Sequence, residues 1–172
     1  MALRLVAVTF LLLLNCPALA QEHKRIAIPG YGGFLFGMTE QQARTIKPLS
    51  GPIPEPTRTR FKLAEPMTVD GVDYSFSITL MKGKLDTILL SSDTKETDTG
   101  CQHNFNRVVS LVQTKYGPPD RTPGEKVYGR IARFNNATFT FQDGNAIVVS
   151  SFYIETCLVN VAYMAGKKGG SF

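Results

Sequence analysis

The side chains of this 172-residue chain that could do chemistry are two histidines, three cysteines, one acidic loop and one run of cations. Neither His23 nor His103 has a ligand-like neighbour at helical or strand spacing, and no H-E-x-x-H or G-x-S-x-G occurs. His103 therefore reads as a surface or capping residue in the first turn of a helix. The only hydrolytic site the chain offers is one assembled from scattered residues such as Asp73, Asp86 and His103. Asp93, Glu96 and Asp98 fall in one loop and could ligate calcium. Lys95 sits among them and the EF-hand spacing is absent, so a solvated loop is expected. Gly30-Tyr31-Gly32-Gly33 lacks the G-x-G-x-x-G spacing of a phosphate cradle and reads as a flexible loop. Asn136-Ala137-Thr138 matches a glycosylation sequon, but its place between two apparent strands makes turn chemistry the expectation. The chain is accordingly expected to be no enzyme and to carry no cofactor or metal; a small periplasmic hydrolase with such a scattered site, or a structural envelope protein, is the alternative to a binding module.

Two surfaces remain. Arg58, Arg60 and Lys62 stand at i, i+2 and i+4, so on a strand they project from one face, opposite Phe61 and Leu63. Such a face is either an ordinary solvated or aggregation-proofed edge, or a contact for an anion or a partner. The aromatic glycine loop 31–36 is the second candidate, with Phe34 and Phe36 read as core rather than contact residues.

Residues 1–20 have the form of a secretion signal: Arg4, an apolar run over 5–14, and Ala18-Leu19-Ala20 as cleavage site, leaving Gln21 as the new N-terminus. Ten apolar residues fall short of the roughly 20 needed to cross a bilayer, and no later run is longer, so no transmembrane segment is expected after cleavage. Leu13-Leu14-Asn15-Cys16 approaches a lipidation motif, with Asn15 where Gly or Ala is required. A periplasmic or secreted location follows. There Cys101 and Cys157 would meet oxidising conditions, and one structural disulfide is the natural reading. Two buried free thiols or a redox pair are the alternatives, the latter without its usual C-x-x-C spacing. The net charge of +5, one unit of which leaves with Arg4, is too mild to specify a partner, and no nucleic acid is expected.

These residues need elements to position them. Thr39, Glu40 and Gln42 form a capping box that predicts a helix over 39–47, ended by Pro48. Residues 50–56, with three prolines and a glycine, read as a rigid connector. Period-two alternation over 57–91, punctuated by Asp70-Gly71 and Lys82-Gly83-Lys84, predicts a three-stranded meander. A loop over 91–100 leads to a helix from Cys101, with Phe105, Val108, Val109, Val112 and Tyr116 on one stripe and Gly117-Pro118-Pro119 as its stop. Strands are predicted over 127–134, 137–142, 146–153 and 156–164, with turns at Asn135-Asn136, Asp143-Gly144 and near Glu155, and a disordered tail over 166–172. The fold class is therefore α+β: one antiparallel sheet with two helices packed on one face, in a single domain over 21–165. A helix-plus-strands unit is weakly repeated in halves at about 34–91 and 101–164.

Phe36-Gly37-Met38-Thr39-Glu40-Gln41-Gln42-Ala43 resembles the Gly-Met-Thr helix start of small exported bacterial envelope proteins, the β-lactamase-inhibitor-like and outer-membrane-assembly-lipoprotein-like ones. Lys115-Tyr116-Gly117-Pro118-Pro119 is similar to their Tyr-Gly-x-Pro helix stop. The resemblance implies a non-catalytic module that binds an envelope protein or an anionic envelope component. It transfers no inhibitory residue, because those inhibitors carry one cysteine pair per repeat and this chain one pair in all.

Overall fold

The structure is a computed structural model that describes residues 25–122, 126–128 and 132–166. The expected export signal with Cys16, the new N-terminus Gln21, His23 and residues 167–172 of the tail expected over 166–172 lie outside those residues, while Gly166 is held, its amide donating to the Asn145 side chain at 2.6 Å. Among the described residues eleven strands and two helices follow in the order β1 (Gly30–Tyr31), β2 (Phe34–Leu35), α1 (Glu40–Ile46), β3 (Leu49–Pro54), β4 (Arg58–Leu63), β5 (Met67–Val69), β6 (Val72–Met81), β7 (Lys84–Thr94), α2 (Asp98–Tyr116), β8 (Lys126–Tyr128), β9 (Ala132–Thr140), β10 (Ala146–Tyr153) and β11 (Cys157–Met164). β1 and β2 form a small hairpin. The remaining strands form one antiparallel sheet in the order β3-β4-β6-β7-β11-β10-β9-β8, with β5 paired to β6. The chain is α+β.

Local chemistry explains the elements. Thr39 caps α1 and accepts from the Gln42 amide, while the Gln42 side chain accepts from the Thr39 amide. The turns before β6 and β7 place Asp70-Gly71 and Lys82-Gly83 at positive φ, as a two-residue hairpin with the right-handed strand twist requires. Thr97 caps α2, which starts at Asp98 rather than Cys101 because β7 runs on to Thr94 and consumes the expected loop. Gly117, at φ 82°, ends it ahead of Pro118.

Three sequence expectations give way. Residues 49–54 are an edge strand, not a connector: an outermost strand tolerates Pro52 and Pro54, and its pairing with β4 is irregular between Ser50 and Ile53. The first strand of the expected meander breaks at Ala64-Glu65-Pro66 into β4 and β5. Asn135-Asn136 is no turn: both residues lie within β9, opposite Ser151 and Ser150. A two-residue hairpin turn needs positive φ at one or both central residues, and Asn-Asn without glycine does not compete with a strand whose Ala137 and Phe139 are wholly buried.

One face of the sheet carries the core. Phe61, Phe76, Ile78, Ile88, Val161, Val159, Val149, Ile147, Ala137 and Phe139 all point to it and are buried. α2 lies against β9, β10 and β11 on this face through Cys101, Phe105, Val108 and Val112; Val109 and Tyr116, on the expected stripe, are only half-buried. Cys101 and Cys157 are joined, with Cα atoms 5.2 Å apart, so the first turn of α2 is fixed to the start of β11. Such a bridge belongs to chains that fold outside the reducing cytoplasm. α1 meets the inner face through Arg44, whose guanidinium lies 5.2 Å from the Phe61 ring centre and donates to the Leu49 carbonyl. Among the described residues no helix is long and apolar enough to cross a membrane.

Candidate functional site

β4 places Arg58, Arg60 and Lys62 on the outer face, away from the core, while Phe61 between them is fully buried. The register sets Arg58 opposite Met81, Arg60 opposite Thr79 and Lys62 opposite Ser77. The three cations are not equivalent. Arg60 is paired to Glu55, in the turn between β3 and β4, and is half-exposed. Arg58 and Lys62 are exposed and make no salt bridge among the described residues.

The outer face continues across the sheet with a different character. Phe134, Phe152 and Leu158 are consecutive neighbours in one row, and Val148, Ala162 and Leu89 in another. All six are half-exposed, whereas the residues between them in sequence on β9, β10 and β11 that turn inward are nearly all buried. Between the two apolar rows runs a polar one, Asn136, Ser150, Asn160, Ser91 and Ser75, crossing five strands. The outer face is thus amphipathic in the plane of the sheet, with cations at the β4 end.

The other proposed chemistry does not assemble. Asp73 stands near the start of β6 and takes a hydrogen bond from the Thr68 hydroxyl at 2.6 Å. Asp86 lies just past the turn at the far end of the same hairpin, roughly 20 Å away at 3.3 Å per residue. His103 is exposed in the second turn of α2, not the first. The acidic loop is divided: Asp93 belongs to β7, and Asp98, in the first turn of α2, is paired to Arg133 at 2.9 Å. Among the described residues no three His, Cys, Asp or Glu side chains are grouped to hold a metal ion. The glycine loop forms the β1–β2 hairpin, in which Phe34 is buried against Phe76, Phe36 packs half-buried on the core and Tyr31 stacks on Tyr163.

Sequence reasoning missed two features. The outer apolar rows were hidden by the supposed turn at 135–136; the absence of Gly and Pro from 132–140 was the signal that the strand continues. Arg25, read only as part of a polar start, is a buried anchor. Its guanidinium donates to the Tyr116 carbonyl at 2.8 Å, the Thr140 carbonyl at 3.0 Å, the Pro118 carbonyl and the Asp120 carboxylate at 2.6 Å. It thereby satisfies carbonyls at the C-terminal end of α2. Burial pushes the Asp120 carboxyl up, but the hydrogen bonds from Arg25 and the Thr140 amide outweigh it and hold the group below the ordinary carboxylate value.

No family model, curated protein or solved structure matches the chain.

Proposed function

We propose that the protein is a non-catalytic binding module of the periplasm or the secreted space, and that the outer face of its sheet is the contact surface. The observation that carries this reading is the contrast across one sheet. Inward apolar side chains such as Ala137, Phe139, Ile147, Val149, Val159 and Val161 are buried, while Phe134, Phe152, Leu158, Val148 and Ala162 remain half-exposed on the opposite face. Apolar rows left half-exposed on either side of a polar one give the mixed character common to protein contact surfaces. The exposed Arg58 and Lys62 at the β4 end suit a partner that is acidic where it meets them. The likeness of residues 36–43 and 115–119 to small envelope binding proteins supports the same class. The partner is an envelope protein, with the anionic component of the surface met by the β4 cations.

The test is retention of partners from envelope extract on the immobilised protein at low and high salt, beside a Phe134→Ser/Phe152→Thr variant and an Arg58→Ala/Lys62→Ala variant. A stoichiometric protein retained at high salt, lost with the aromatic variant and weakened at low salt by the cation variant, is the expected result. Retention unchanged in the aromatic variant would remove the outer face from consideration.

A further inference from the structure

The opposite face of the sheet holds a second feature that the reading above does not use. Between β1 and α2 lies a cavity of about 220 Å³ that opens to solvent. Leu90 and Val161 form part of its floor and Val108 and Val112 part of its helical wall. Arg107 of α2 donates to the Asp70 carboxylate at 2.6 Å and carbonyl at 3.2 Å, tying the helix to the β5–β6 turn beside it.

Three properties of this space specify an occupant. First, four tyrosine rings line it, from Tyr31, Tyr74, Tyr116 and Tyr163, in a chain that has only six tyrosines. Tyr31 and Tyr163 are stacked with ring centres 4.6 Å apart. Aromatic walls favour an aromatic guest in offset or edge contact. Secondly, among the described residues Lys115 is the sole charged residue of the lining and no acid contributes to it. Its ammonium sits 5.1 Å from the centre of the Tyr116 ring, and the residue is exposed. Thirdly, among the described residues no group hydrogen-bonds the Tyr163 hydroxyl. Burial, reinforced by the nearby Tyr31 and Tyr116 phenols, raises the pKa of Tyr163, so its ring brings no negative charge to the lining. As to size, a cavity of about 150 Å³ already admits benzene. The space here has room for one ring and a short side arm.

We infer that this cavity binds a small aromatic carboxylate, its ring among the tyrosines and its anionic group within reach of Lys115. The site is independent of the outer face and stands or falls separately from it.

Titration calorimetry on the purified protein with phenylacetate, 2-phenylethanol and 2-phenylethylamine tests the assignment. Phenylacetate is expected to bind several-fold more tightly than the alcohol, and the amine more weakly than either. Lys115→Met should weaken phenylacetate about threefold, the scale of an exposed ion pair, and leave the alcohol unchanged. Leu111→Trp, at a rim position that is 44% exposed, should obstruct the mouth and abolish binding of both while leaving the melting temperature in place. Lys115→Glu serves as a second charge variant and should weaken the acid further. Absence of phenylacetate binding at millimolar concentration overturns the inference, as does equal affinity for acid and alcohol, or binding that survives Leu111→Trp.

Discussion

Over β9, β10 and β11 the inner face of the sheet is covered by the 19 residues of α2, fixed at one end by the Cys101–Cys157 bridge and at the other by the Arg25 guanidinium. At β4 and β6 the contacts on the same face come from shorter segments: Arg44 of α1 lies over the Phe61 ring, and Phe34 of the β1–β2 hairpin packs on Phe76. No described covalent link joins either of these segments to the sheet. One core is therefore closed by a long clamped helix on one side and by short uncross-linked segments on the other. The cavity lies where the two kinds of cover meet.

This contrast makes measurable claims. The largest effect is expected from Cys101→Ala/Cys157→Ala, which removes a link across 56 positions and should lower unfolding free energy in urea by about 4 kcal/mol. A loss under about 1 kcal/mol would show that the bridge is not what closes the α2 side. Next is Arg25→Met, which leaves the Tyr116, Pro118 and Thr140 carbonyls without their charged donor and should cost about 3 kcal/mol by the same measurement. A smaller effect is expected with pH. The Asp120 carboxyl is held below its ordinary value of 3.8, so its stabilising contribution is complete above that pH and is lost as pH falls through its folded-state value. Melting curves from pH 5 to pH 2 should fall more steeply for the parent than for Asp120→Asn; parallel curves would break the link between Arg25 and Asp120. Smallest is Arg58→Ala/Lys62→Ala on the other side of the sheet, where both side chains are exposed and stability should change by no more than about 0.5 kcal/mol.

The parts of the fold legible in the sequence were those written in adjacent residues. Thr39 and Gln42 announce α1, Gly117-Pro118 closes α2, and Asp70-Gly71 and Lys82-Gly83 place the turns around β6 and β7. The alternation of Arg58, Arg60 and Lys62 with Phe61 also assigns the faces of β4 correctly. The parts that were not legible depend on neighbours distant in sequence. Residues 49–54 are a strand only because β4 lies beside them, and Asn136 is strand rather than turn because Ser150 is its partner. The inequality of the three cations rests on Glu55, and the role of Arg25 on groups 91 to 115 positions away.

The centre of the sheet is the pairing of β7 with β11, running from Thr94 opposite Cys157 to Thr87 opposite Met164. Every other pairing along the sheet joins strands that follow one another closely in the chain, so each flank can form as a local meander. The central seam brings together segments more than sixty residues apart and must wait for a long loop to close. By contact order the central seam is the step expected to limit the rate of folding. Cys101, seven positions beyond Thr94, carries the link that shortens that step, so oxidation before the seam forms should speed refolding, whereas reduction would leave two open strand edges exposed to other chains.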